Sequence, residues 1–376
     1  MNRRHFIRAG SGLACAAIAP AVHAWRAEPI LLGQSAALSG PSAALGTEFR
    51  RGAMLVFDRV NAGGGIGGRP IELVSLDDGY EPERCERNTS TLIDRGALAL
   101  FGYVGTPTSL AALPMAASSR VCLFAPFTGA EALRAPSNRY AFHIRGSYYD
   151  ETERIVRQLA TVGIRRIGVF HQNDSYGRAG LEGVLRGLSP LGLQPVCTGT
   201  VERNSSDVSS ALDAILAGKP DAIIQISAYR SCAAFVRAAK RAGYGGMFYN
   251  VSFVGTQALA DELGPDARGV VVSQVMPFPY APTTVIAGEY LAAGRVSEGI
   301  AFAPNYSGIE GYIAATTMVR ALRRAKGATR AGIVGALESL HEVDLGGFVV
   351  DFAPGKHVAS KFVELTILTS DGRVRR

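Results

Sequence analysis

The chain has 376 residues, of which 47% are hydrophobic and 19% charged, with a formal net charge of +7. That length exceeds one ordinary domain and suits two, and the apolar content excludes a chain too polar to bury a core. Its basic residues are scattered rather than massed in runs, which argues against a nucleic-acid partner.

The N-terminus reads as an export segment. Arg3, Arg4 and Arg8 precede an uncharged stretch from Ala9 to Val22, about the length of a signal core and too short to span a membrane. A small-residue cleavage site follows at Val22-His23-Ala24, relaxed at its first letter. The Arg-Arg-x-Phe-Ile-Arg order resembles a twin-arginine signal, so residues 1–24 are expected to be a signal peptide and the mature protein to be periplasmic. Lipoprotein processing at Cys15 is disfavoured, because Gly12 stands where a large aliphatic side chain is wanted. Cleavage removes three arginines and no acid, leaving +4.

Beyond the leader the pattern alternates. A strand over 29–36, a helix over 47–61, a strand over 70–78, a helix over 81–96 and a strand over 97–103 are read from periodicity. A helix over 109–120 and short strands over 121–127 and 139–145 follow. The rhythm then restarts: helices over 151–163, 177–192, 207–220 and 230–243 alternate with strands over 165–172, 194–202, 221–227 and 247–253. A further strand-like run (269–279), a long helix (308–325) and two strand-like runs (346–354 and 361–372) close the chain. This order implies two α/β lobes with parallel sheets.

Gly63, Gly65 and Gly68 fit G-x-G-x-x-G, the dinucleotide fingerprint. That motif needs a strand before the glycines and a helix after them. Here the helix comes first and the strand starting at Pro70 follows, so the stretch is expected to be an α-to-β turn. An enzyme using it as a phosphate loop remains the weakest reading.

No G-x-S-x-G elbow, H-E-x-x-H or Walker motif occurs. The paired acids Asp77 and Asp78 are read as capping the turn and helix that follow. Cys85, Cys122, Cys197 and Cys232 lack metal-site spacing and are read as buried free thiols in preference to disulfides. No catalysis, cofactor or metal is expected.

Ligands of parallel α/β sheets bind beyond the carboxyl ends of the strands. There the first lobe offers Thr106, Thr108, Phe127, Thr128 and Gly129, whose hydroxyls and free N–H groups suit a carboxylate. The second offers Tyr148, Tyr149, Asp174, Tyr176, Tyr229, Arg230, Asn250, Ser252 and Phe253, whose aromatic rings would form apolar walls with polar tips.

The stretches GQSAALSGPSAALG, VNAGGGIGGRPIELVSLDDGYEPERC, FGYVGTPTS, FAPFTGAEAL, GVFHQNDSYGRAGLEG and DAIIQISAYRSCAAFVRAAKRAGY carry a resemblance over residues 28–374. The chain resembles the type I periplasmic solute-binding proteins of the branched-chain amino acid (leucine/isoleucine/valine) ABC transporter class. The resemblance implies two Rossmann-like lobes with parallel central sheets joined by three crossovers: 27–147 with 277–343, and 148–276 with 344–376. It implies a monomer that closes on a small-molecule ligand and presents it to an ABC permease in the inner membrane. A sensor on the same fold, reporting to a receptor, is the alternative.

By position, the resemblance puts a ligand carboxylate near Thr106, Thr128 and Gly129, with Tyr176 and Tyr229 covering the ligand. Two departures stand out. Ser252 occupies the place of the acid that meets a ligand ammonium, and Leu45 replaces an aromatic wall. Either Asp150 or Asp174 supplies the missing charge, or the ligand lacks an α-ammonium; an aromatic or other carboxylate, or an amide, then fits.

Overall fold

The computed structural model describes residues 28–135, 138–296, 302–325 and 327–376. The expected signal peptide therefore lies outside the described residues. In chain order the elements are β1 (Ile30–Ala36), α1 (Ala43–Ala62), β2 (Ile71–Asp77), α2 (Pro82–Asp94), β3 (Ala99–Phe101), α3 (Thr106–Ser118), β4 (Cys122–Phe124) and β5 (Ala141–Phe142). Next come α4 (Tyr148–Thr161), β6 (Ile167–Gln172), α5 (Ser175–Leu188), β7 (Cys197–Val201), α6 (Ser209–Ala217), β8 (Ala222–Ile226), α7 (Tyr229–Arg241), β9 (Met247–Asn250), α8 (Thr256–Leu263) and β10 (Val271–Gln274). The chain ends with α9 (Val285–Val296), α10 (Tyr306–Arg324), α11 (Arg330–Glu338), β11 (Val343–Asp344), β12 (Val349–Val350), β13 (Glu364–Leu368) and β14 (Val374–Arg375).

Two sheets organise two α/β lobes. The first has order β2-β1-β3-β4-β5 and is parallel throughout. The second has order β14-β13-β10-β9-β8-β6-β7; it is parallel except for β13 and β14, which add antiparallel at one edge. Central strands β3, β4, β6 and β8 are buried on both faces, as a sheet covered by helices on each side requires.

After leaving the second sheet, the chain returns to the first lobe. Helix α10 lies against α1 at backbone distance: a Cβ on Gly52 would stand 1.8 Å from the Gly308 carbonyl, and one on Gly311 1.9 Å from that of Phe49. Arg330 at the start of α11 donates to the carbonyls of Ile93, Ala97 and Ser119, fastening that helix to the same lobe. The expected crossover near residue 343 is displaced. Phe352 and His357 both pack on Phe142 of β5, and His143 N–H donates to the His357 carbonyl. Residues 344–359 thus stay with the first sheet, and the chain crosses only just before β13. Burial of Phe352 drives this, and it was hidden in a run that reads as an ordinary strand.

Other boundaries shift for local reasons. Helix α4 begins at Tyr148 rather than 151 because Ser147 and Asp150 form a reciprocal capping box. Helix α3 begins at Thr106, directly after Gly105 at φ +102°. Helices α8, α9 and α11, of 8, 12 and 9 residues, have no counterpart in the sequence reading.

The glycine stretch is an α-to-β turn. The N–H groups of Gly63 and Gly65 cap the end of α1 on the carbonyls of Arg59 and Val60. Gly65 has φ +75°, and a Cβ there would lie 2.2 Å from the Arg69 carbonyl, so only glycine fits. Asn61 then clamps both backbone groups of Ile71 at the start of β2.

Candidate functional site

Past the ends of β3 and β4, two loops zip together. Gly102 N–H donates to the Phe124 carbonyl, Phe127 N–H to that of Tyr103, and Gly105 N–H to that of Phe127. This pairing brings the buried hydroxyls of Thr106 and Thr128 to 2.7 Å from each other. Thr128 Oγ1 also lies 3.3 Å from the Tyr148 hydroxyl. Gly129 is needed for that approach, since a Cβ there would meet the Tyr148 ring at 2.7 Å.

The second lobe closes over this floor with aromatic side chains. Phe253, in the turn after β9, stands with its ring centre 5.7 Å from Phe127, 5.8 Å from Tyr80 and 4.5 Å from Tyr176. Tyr176 lies 5.3 Å from Tyr148. Its hydroxyl is buried and has no partner among the described residues. Burial pushes the Tyr176 phenol well above its ordinary pKa, so it stays protonated at neutral pH and offers a donor.

Thr106, Phe127, Thr128, Gly129, Tyr148, Tyr176, Ser252 and Phe253 are thus gathered at one interlobe crevice. Tyr229 opens α7 and is buried, but no hydrogen bond or ring contact among the described residues ties it to the cluster. Asp150 departs from the expectation. Its carboxylate takes the Ser147 N–H and hydroxyl in the α4 cap. It lines a separate outer groove of about 920 Å³ beside α4 and α5, together with Tyr149 and Arg186. Asp174 caps α5 through the N–H groups of Tyr176 and Gly177, and it also accepts from Gln172.

Three charged residues at the crevice escaped the sequence reading. Glu151, one residue past Asp150, is fully buried and accepts from the Ser252 N–H (2.7 Å), the Ser252 hydroxyl (3.0 Å) and the Ser273 hydroxyl (2.6 Å). A carboxylate does stand beside Ser252, delivered from another helix. Arg145 and Glu310 form a buried two-pronged ion pair, Nε to Oε1 and Nη2 to Oε2, each 2.8 Å. Burial pushes both carboxyls upward, and the facing Arg145 guanidinium opposes this. Burial alone would lower the Arg145 pKa, but the charge and hydrogen bonds of Glu310, with Glu151 and Tyr148 nearby, together turn the shift upward and hold Arg145 as a cation. The Arg145 guanidinium lies 4.3 Å over the Phe127 ring. In the sequence Arg145 stands only as the last residue of the short strand-like run 139–145.

Side chains fill most of the crevice. A void of about 10 Å³ remains beside Phe127, Arg145, Ser252 and Ser307. A wider opening of about 160 Å³ lies between Leu45, Gly255 and Asn305 and shares Ser307 with it. At the rim, Arg203 reaches Glu81 at 2.9 Å and Asp174 at 3.6 Å, and Asn204 donates to the Gly79 carbonyl and to Glu81. The Arg203–Glu81 and Asn204 bonds join the two lobes, while Asp174 stands with Arg203 in the second.

The sequence pattern of a family described as "Periplasmic binding protein" matches residues 29–372. Among solved structures, a "possible leucine/isoleucine/valine-binding protein" from Rhodopirellula baltica SH 1 is 35% identical, with a TM-score of 0.89 over 93% of this chain and 96% of that one. A "substrate-binding periplasmic protein" from Ralstonia solanacearum is 31% identical, with a TM-score of 0.87 over 92% and 99%. A curated "Amino acid binding protein" from Pseudomonas aeruginosa is 23% identical over 62% of this chain and 63% of its own, so the chain spans under two thirds of that relative's length.

Proposed function

The chain belongs to the periplasmic binding protein family, and from that premise we propose that it is an exported protein that captures a small carboxylate-bearing solute between its lobes for an ABC importer. The observation that carries this reading is the Thr106–Thr128 hydroxyl pair, 2.7 Å apart, buried at the strand ends and roofed by Tyr176 and Phe253. Two hydroxyls that otherwise share one hydrogen bond match the two oxygens of a carboxylate. The names of the relatives, binding proteins throughout, point the same way.

Export rests on residues 1–24, with their arginine pair and uncharged core. The lobes of this reading are 27–147 with 277–359, and 148–276 with the strands from 364 onward. Closure about the three crossovers would present the loaded form to a permease, and the protein would act as a monomer.

A thermal-shift screen of amino acids, aliphatic and aromatic carboxylates and amides tests the reading, since a ligand of the folded state raises the melting temperature by mass action. Small-angle scattering with a hit should show compaction. A screen with no hit, or a hit that leaves the scattering unchanged, counts against it.

A further inference from the structure

The crevice is unbalanced in its hydrogen-bonding groups. On the donor side, Tyr176 Oη and Arg145 Nη1 are both buried and without partners among the described residues. Arg145 gives Nε and Nη2 to Glu310, which leaves Nη1 on the other edge of the guanidinium. That residue borders the small void with Phe127 and Ser252. On the acceptor side, the carboxylates around the cluster are committed. Glu310 is held by both prongs of Arg145, Glu151 receives three donors, Asp174 receives three donors and faces Arg203, and Asp150 is spent on the α4 cap.

Among the described residues, an ammonium brought into the inner crevice would meet no free carboxylate. Glu48 and Asp261 line only the outer opening, where Glu48 binds Asn305 and Arg51 and Asp261 binds Gln257. An unpaired buried cation is strongly disfavoured. An acceptor oxygen would meet a guanidinium edge that already lacks one. Tyr148 links the two halves: its hydroxyl is 3.3 Å from Thr128, and it lies within electrostatic reach of Arg145.

We propose that Arg145 is a specificity-determining ligand contact, and that the solute is a carboxylate without an ammonium, carrying a second acceptor oxygen for Arg145 Nη1, as in a 2-oxo acid. This rests on the binding function proposed above and names its substrate class. The carboxylate would sit on Thr106 and Thr128, the second oxygen on Arg145, and the apolar remainder against Phe127 and Phe253. The competing account is that Arg145 only ties α10 to the first lobe and that a single water, for which a void of about 10 Å³ suffices, satisfies Nη1.

The test is calorimetric titration of the dialysed protein with three matched pairs that differ in replacing the ammonium by an oxo group. These are leucine and 4-methyl-2-oxopentanoate, phenylalanine and phenylpyruvate, and glutamate and 2-oxoglutarate. At least one oxo acid should bind, and at least tenfold more tightly than its amino partner. An amino member binding equally or better overturns the proposal and leaves the binding function standing. So does silence from all six while another solute in the thermal-shift screen binds. Silence from the whole screen removes both. Arg145→Lys keeps a cation opposite Glu310 but loses the free edge, so it should fold and lose at least tenfold affinity for the preferred oxo acid. Unchanged affinity assigns Arg145 to structure alone. If that variant does not fold, the double variant Arg145→Gln/Glu310→Gln, which leaves no lone buried charge, gives the same readout.

Discussion

The Glu151 carboxylate holds Ser252 by two bonds, one from its N–H at 2.7 Å and one from its hydroxyl at 3.0 Å. The Ser252 proton is therefore committed to Glu151, and its oxygen can otherwise act only as an acceptor. Glu151→Gln keeps the shape but turns an N–H₂ toward donors. We expect a loss of about 1–3 kcal/mol in folding stability, the usual cost of a buried polar mismatch, measured by urea unfolding. Parent-like stability would mean that Glu151 is already protonated in the folded protein.

Thr106→Val and Thr128→Val should each weaken solute binding by about 1–3 kcal/mol, read by calorimetry with any hit from the screen. Unchanged affinity in both variants would place the carboxylate elsewhere.

Tyr176→Phe separates a ligand-facing hydroxyl from a structural one. The hydroxyl is buried and unpartnered among the described residues, so its removal should leave stability equal or slightly higher. Affinity should fall by about 0.5–1.5 kcal/mol, one neutral hydrogen bond. A destabilised variant with intact binding would reverse the assignment.

Sequence order made the strand ends legible, and with them the Thr106, Thr128 and Phe253 positions, because a parallel sheet sends its binding loops to one edge. The Gly63–Gly68 turn was legible too, since a helix before it and a strand after it exclude a phosphate loop. The Arg145–Glu310 pair was not. Its partners stand 165 positions apart and meet only because Gly52 and Gly311 let α10 lie on α1. Glu151 was missed for a different reason: two adjacent acids cannot be told apart until the Ser147 cap fixes the start of α4, which sends Asp150 outward and Glu151 inward.

Asp78 gives a pH test. Burial raises its carboxyl to about 6, against the opposing bonds from Ser35 and Tyr80. The folded state then holds this proton more tightly than the unfolded chain. The resulting stability is full below about pH 4 and falls as pH rises through 6, by about 3 kcal/mol in all. Asp77 runs oppositely. Burial would raise it, but bonds from Ser39, Leu38, Gly79 and Arg84 hold it at about 2, so its contribution is full above about pH 4 and is lost as pH falls through 2. Asp78→Asn keeps an acceptor for the Tyr80 N–H and can donate to Ser35. Between pH 4 and pH 7 the variant should gain on the parent by about that same amount in urea unfolding; a constant difference would refute the shift.

The Arg203 latch should act on release rather than capture. Arg203 and Asp174 belong to the second lobe and Glu81 to the first, so the Arg203–Glu81 pair across the crevice exists only when the lobes meet. A contact made only in the closed form stabilises that form and slows opening, while leaving encounter with the open form unaffected. The groups are partly exposed, so the gain is about 0.5–1 kcal/mol and is screened by salt. Arg203→Ala should therefore raise the solute dissociation rate several-fold in stopped-flow measurements at low ionic strength, with little change in the association rate. The difference between parent and variant should shrink at high salt. A variant that slows association instead would make Arg203 a steering charge, and equal dissociation rates would show that the neighbouring bonds from Asn204 to Gly79 and Glu81 and from Gln172 to Tyr80 hold the rim without it.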